Sequence, residues 1–207
     1  MRIRIGMTAC AVLVAAALTA CSGGGGDGDG TAGKQTGAPW FDEVTAAASA
    51  GPATACALPV KLPVVERWRV KPVRLDGGPM DALAQQGDVT MACEIDAKPA
   101  GPIGFLRVWI ARPDATQPRP VLESFLGADR GLTDVAYRDV DAGGLTAVEA
   151  TYLREGPTEP AGKRERAFAV ATSQGIAVVT LSGLDNKQYQ AMLPAYVLAR
   201  QQITPAA

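Results

Sequence analysis

The stretch "LTAVEATYLREGPTEPAGKRERAFAVATSQGIAVVTLSG", Leu145 to Gly183, decides the fold. It contains three strand-like runs, 145–155, 163–173 and 176–183, rich in Val, Thr, Ala and aromatic residues. A polar loop, 156–162, parts the first two, and Gln174-Gly175 makes a tight turn before the third. Consecutive strands on short links pair antiparallel. The last run, "IAVVTLSG", is apolar without alternation, which reads as a strand buried on both faces.

Working outward, "LTDVAYRDV" (132–140) predicts one more strand, turned into the next by Asp141-Ala142-Gly143-Gly144. Downstream, "DNKQYQAMLPAYVLARQQI" (185–203) predicts a helix. Asp185 with Gln188 three residues on approximates a capping box. Tyr189, Met192, Leu193, Tyr196, Val197 and Ile203 fall on one helical face. Pro194 lacks a backbone donor, so a kink or restart is expected there. A second helix is expected within 113–131, where Pro120 suits the first turn and Val121, Leu122, Phe125 and Leu126 make one apolar stripe. Before it, "FLRVWIA" (105–111) is a strand, with Leu106, Val108 and Ile110 on one face and Phe105, Arg107 and Trp109 on the other. Gly87-Asp88 turns the chain into a strand running through Cys93, and "KPAGPIG" (98–104) is a turn. Alternation over Val64 to Lys71, bracketed by Pro63 and Pro72, predicts an edge or early strand. "PWFDEVTAAASAGP" (39–52) predicts a short helix: Pro39 near its start, Asp42 and Glu43 in the first turn, Gly51-Pro52 to stop it. The order is strands, helix, antiparallel strands, helix. That is an α+β class, an antiparallel sheet with helices packed on it.

The features "GGLTAVEATYL", "RERAFAVATSQGIAVVTLSG" and "YQAMLPAYVLARQQI" together resemble the PsbP-like fold. Gly143-Gly144 precede a strand ending in Tyr152, and the last helix carries Leu193-Pro194. That fold is shared by the extrinsic PsbP subunit of photosystem II, the Ran-binding Mog protein and actinobacterial lipoproteins of the LpqN type. The resemblance implies an α-β-α sandwich. It brings no catalytic residues with it, because none define the fold, and a shared fold does not settle function.

The other end of the chain concerns address. Arg2 and Arg4 precede an apolar run, Thr8 to Leu18, that has the length of a signal-peptide core and is too short to cross a bilayer. Leu18-Thr19-Ala20-Cys21 then resembles the lipobox of bacterial lipoproteins. The resemblance implies cleavage before Cys21 and a diacylglyceryl (palmitate-type) thioether on its sulfur. Two acyl chains suffice for stable anchoring. Residues 1–20 are therefore expected to be a signal peptide. Residues 21–39, mostly Gly, Asp, Ser, Thr and Ala, read as a lipidated tether that cannot offset its own ordering entropy. Such a coil spans roughly 25 Å. Residues 40–207, about 168 in all, suit one domain. The expected location is the extracytoplasmic face of the cell membrane.

Two cysteines remain beyond the anchor, Cys56 and Cys93. Outside the cytoplasm such a pair forms a disulfide; a redox or metal pair is the rival, but CxxC spacing and a third ligand are missing. The closed loop, about 38 residues, stabilises by roughly 3–4 kcal/mol on the chain-entropy argument.

Composition narrows the chemistry. Against 20 basic residues stand 21 acidic ones, a formal charge of −1, which gives no electrostatic case for nucleic acid. There is no histidine, the commonest general base and metal ligand. "DGDG" (27–30) begins like a calcium loop, but its twelfth position is Ala38, not Glu, so no metal is expected. No GxSxG or SxxK occurs. Ser124 reads as a helix residue, and Asp134, Asp139 and Asp141 as turn-associated carboxylates. No cofactor is expected. A candidate partner surface is Arg67, Trp68 and Arg69 with Arg107 and Trp109, residue types enriched at interface hot spots; alternatively both tryptophans are core and the arginines edge the sheet. The expected function is a membrane-anchored, non-catalytic binding or accessory module for an envelope protein or component. The alternative is a carrier of a small apolar ligand or lipid in a cavity between sheet and helices. An enzyme is the least supported reading.

Overall fold

A computed structural model describes residues 40–41, 43–156 and 159–206, apart from the Met80 side chain. Its centre is an antiparallel sheet built from β1 (Arg69–Pro72), β2 (Val89–Asp96), β3 (Gly104–Ala111), β4 (Leu132–Ala142), β5 (Leu145–Gly156), β6 (Glu159–Thr172) and β7 (Gly175–Gly183). Their spatial order is β1-β2-β3-β7-β6-β5-β4, and the two-residue piece Gln85–Gln86 adds to β2. Helix α1 (Pro118–Gly127) links β3 to β4 across one face; α2 (Asn186–Gln202) follows β7 and lies on the other. The fold is α+β, an antiparallel sheet with two helices.

The apolar runs of β6 and β7 are explained by two-sided burial. Phe168, Val170, Val179 and Leu181 face α2, where Tyr189, Met192, Leu193, Tyr196 and Val197 pack without exposure. Ala167, Ala169, Ile176 and Val178 face α1, where Val121, Leu122, Phe125 and Leu126 meet them, the four residues the apolar stripe named. At about 25 cal/mol per Å², these two interfaces supply the main favourable term. Asp185 caps α2 by accepting the Gln188 N–H at 2.8 Å. Close approaches demand glycine at two places. A Cβ at Gly183 would stand 2.6 Å from the Tyr189 nitrogen, and one at Gly143, whose φ is +60°, would stand 1.9 Å from the Ile203 carbonyl oxygen.

The N-terminal part differs from expectation. Residues 43–50 form no helix, and Gly51–Pro52 pair with Pro63–Val64 instead. The Ala-rich run lacks an apolar stripe, and tertiary contacts hold it extended as a strap. Trp40 is buried in the α2-side core, and the Ala47 N–H donates to the Pro194 carbonyl at 2.9 Å. The alternation over 64–71 is not one strand either. Arg67 takes a positive φ of 68° and its guanidinium donates to the Pro99 carbonyl, so the chain turns there and β1 begins at Arg69. The last helix does not restart at its proline: α2 is one continuous element with Pro194 inside it. The loop 156–162 is shorter than expected, since β6 starts at Glu159 and pairs back to Gly156 through an irregular register. Cys56 and Cys93 are bonded, Cα to Cα 5.8 Å, which ties the strap side of the molecule to β2.

Candidate functional site

Helix α1 has ten residues and so spans about 15 Å. Strands β5 and β6 have 12 and 14 residues and extend well past it. One end of the α1 face is therefore left without a helix above it. A cleft of about 480 Å³ lies there, open at one side.

Its floor follows from register. Along the α1 face, β5 passes from Ala150 to Tyr152 and Arg154, and β6 from Ala167 back to Glu165 and Lys163. β7 passes from Val178 to Thr180 and Ser182, and β3 from Trp109 back to Arg107. The change from apolar to polar is staggered: β3 and β7 carry Arg107 and Thr180 in the row where β6 and β5 still carry Ala167 and Ala150, and β6 and β5 become charged further along, at Glu165 and Arg154. Leu83, Met91, Trp109 and Phe125 make the apolar wall. Gln86 donates to the Phe125 carbonyl at 2.9 Å and fixes that wall to the helix.

The floor is an ion-paired lattice around Glu165, which is almost fully buried. The Ser182 hydroxyl donates to its Oε1 at 2.7 Å, Lys163 Nζ lies 3.0 Å from the same oxygen, and Arg154 Nε donates to Oε2 at 2.9 Å. Arg154 also pairs with Asp129. Burial works against the Arg154 charge, but the Glu165 charge and its hydrogen bonds outweigh it, so the guanidinium is held above its ordinary range. Burial raises the Asp129 carboxyl, while the Gly131 N–H and Arg154 lower it further, to a net position below its usual value. Tyr152, fully enclosed, is pushed well up, first by burial and then by the Glu165 charge. Arg107 donates to Glu94 at 3.0 Å and stacks over Phe105. Such an arrangement fixes hydrogen-bond donors and charges in place. Ser182 gives its proton to a carboxylate that already serves two cations, and Lys163 is an ion-paired donor there.

A second charged cluster lies on the α2 face. Glu149 and Arg166 have no exposure and meet at 2.6 Å. Arg138 donates to Glu149 at 2.7 Å and to Glu43 of the strap at 2.6 Å, and Arg200 reaches Glu43 at 2.6 Å. The aromatic faces of Phe41 and Tyr196 stand against Arg138 and Arg166 at 4.3 and 5.1 Å, which accommodates the third cation. The cluster's inner pair, Glu149 and Arg166, is enclosed, while Arg138 and Glu43 are partly exposed and tie the strap to the sheet.

The residues singled out from sequence do not form one surface. Arg67 and Arg69 are exposed, while Trp68 is half-buried against the α2-side core. Trp109 is buried on the opposite face, its ring 5.2 Å from Phe125. Only Arg107 and Trp109 meet, as parts of the cleft. Ser124 donates to Asp88 at 2.6 Å and clips α1 to the turn before β2. Asp141 accepts the Gly144 N–H at 2.9 Å, a turn role. Cys21 and the tether lie outside the described residues. Sequence reasoning missed Arg154, Lys163, Glu165 and Ser182. The signal was present, an apolar-to-polar change two residues apart in each of four strands, but reading it required their register.

Fold and cleft together define a class: a sheet-and-helix domain with a preformed polar groove on one face. By sequence, this chain belongs to the family described as uncharacterised lipoprotein, whose model matches residues 30–203, and a lipoprotein family implies attachment to a membrane of the cell envelope. No curated protein matches it. Among solved structures it is similar to the cyanobacterial PsbP of Synechocystis sp. PCC 6803, at 10% identity and a TM-score of 0.47, covering 83% of this chain and 99% of that one. It is also similar to LpqN of Mycobacterium tuberculosis, involved in cell envelope biogenesis, at 18% identity and a TM-score of 0.40, covering 72% of this chain and 83% of that one. PsbP and LpqN are two of the three named with the sequence resemblance. Among the described residues no helix is long and apolar enough to cross a membrane.

Proposed function

We propose that the protein is a lipid-anchored accessory module of the cell envelope, held at the extracytoplasmic face through Cys21, that binds an envelope partner at the cleft and performs no chemistry. The observation that carries this is the cleft itself: a groove of fixed donors and charges, in a chain of a lipoprotein family. Metabolic labelling with an alkyne fatty acid is expected to tag the wild type. Cys21→Ser is expected to lose the tag and leave the membrane fraction, and a tagged, membrane-bound C21S protein would overturn the anchoring. Crosslinking on intact membranes is expected to enrich one defined partner in wild type and not in Arg107→Glu; enrichment indifferent to that charge would remove the cleft from the reading.

A carrier role is the second reading, favoured by the cleft volume of about 480 Å³, which lies within the range of small-molecule sites. The cleft floor is polar, so a wholly apolar cargo does not match it; the cargo must be amphiphilic.

A further inference from the structure

We propose that the cleft is a site for an anionic amphiphile, with its acidic group between Arg107 and Lys163 and its aliphatic part along the cleft mouth. This rests on the carrier reading and specifies its cargo. A second, smaller cleft of about 220 Å³ adjoins the first, and the two share Arg107, Lys163 and Ser182. These three residues sit on β3, β6 and β7, with β7 between the other two; Arg107 pairs with Thr180 and Ser182 with Phe105, so Arg107, Ser182 and Lys163 follow a diagonal across the sheet. Within the lining, the three cations Arg107, Arg154 and Lys163 face one carboxylate, Glu165. Glu94 and Asp129 neutralise Arg107 and Arg154 from outside the lining. Glu165 already receives Ser182, Lys163 and Arg154, so an incoming acid meets donors at the junction rather than a free carboxylate.

The mouth supplies the apolar half. Leu83, Ile103 and Leu184 are 68%, 44% and 51% exposed, and each lines one of the two clefts. Ile103 and Leu184 are neighbours, joined by a backbone bond of 2.9 Å. Large exposed aliphatics around an ion-paired polar floor are the inverse of an ordinary water-facing surface, and mark an interaction site. Because the apolar part lies at the rim and the polar part within, the ligand enters head first. A fatty acid and an acidic phospholipid share this chemistry.

The test uses the full lipidated chain in neutral phosphatidylcholine vesicles. The probes are photoactivatable palmitate, photoactivatable phosphatidylglycerol and, as neutral control, a photoactivatable monoacylglycerol. Acidic probes are expected to crosslink to peptides holding Leu83, Ile103 or Leu184; which of the two does so identifies the source. R107Q/K163Q should lower that labelling about tenfold, the worth of one charge-assisted bond, and leave the neutral probe unchanged. Leu83→Asp, at an exposed position, should lower all cleft labelling while thermal unfolding stays at the wild-type value. Equal cleft labelling by neutral and acidic probes would overturn the anionic specificity and keep the carrier reading. Labelling by every probe elsewhere on the chain would overturn both.

Discussion

Consider Glu149→Gln, which keeps the side-chain volume and removes one charge. In the wild type this carboxylate, without exposure, is 2.6 Å from Arg166, which is equally enclosed, and it also holds Arg138. Gln can still accept one bond but cannot balance the Arg166 guanidinium. Removing one member of a buried pair costs about 3–5 kcal/mol, because the remaining charge stays desolvated. Domains of this size lose about 2–4 °C of Tm per kcal/mol, so a fall of roughly 10–15 °C is expected. Thermal unfolding measures the Tm, and urea unfolding followed by tryptophan fluorescence the free energy, with the disulfide intact. The control is Glu123→Gln, which breaks the exposed pair with Arg119 at 2.8 Å and should cost at most about 0.5 kcal/mol. The double replacement Glu149→Met with Arg166→Met should be less harmful than the sum of its parts, since no lone charge remains. A loss below about 1 kcal/mol for E149Q would refute the argument, for it would mean that Arg166 is solvated or otherwise balanced.

Other consequences concern backbone, crosslink and pH. Gly143→Ala must push its Cβ into the Ile203 carbonyl at a positive φ and should cost over about 2 kcal/mol, whereas Gly175→Ala, with no atom within 4 Å, should cost about 1 kcal/mol; paired denaturation curves decide. Replacing Cys56 and Cys93 together by Ala should lower stability by roughly 3–4 kcal/mol, read from urea unfolding with the slope fitted separately, since the uncrosslinked denatured chain exposes more surface and steepens it. Burial of Glu43 raises its carboxyl, but the Arg138 hydrogen bond and the Arg200 charge outweigh burial and hold it below the usual range. A depressed folded value means the strap's contribution is complete above the ordinary carboxylate range and disappears as pH falls through the folded value. Glu43→Gln should therefore flatten the acid limb of stability against pH, and an unchanged limb would sink that assignment.

What was legible in the sequence was whatever local periodicity encodes. The α1 stripe, the Asp185 cap and the two-sided runs of β6 and β7 need only neighbours a few positions apart, and they lie where expected. The strap was misread because its conformation is set by partners far along the chain: Arg138, Pro194 and Arg200. The turn at Arg67 was hidden because a non-glycine residue rarely takes a positive φ, so the alternation around it looked continuous. Glu149 stood as a single acid inside an apolar strand, and its meaning came only with Arg166 seventeen residues later. The cleft was invisible for a similar reason: it depends on where a ten-residue helix stops above longer strands.

The strap also has a mechanical consequence. The chain enters the described body at Trp40, seated in the interior, and Glu43 bolts it to two separate elements through Arg138 and Arg200. With the anchor proposed at Cys21, tension arriving from that end is delivered to that rivet first. The covalent Cys56–Cys93 staple stands further along the chain, so a tug strong enough to peel the strap is arrested there before it can unzip the strands that form the groove.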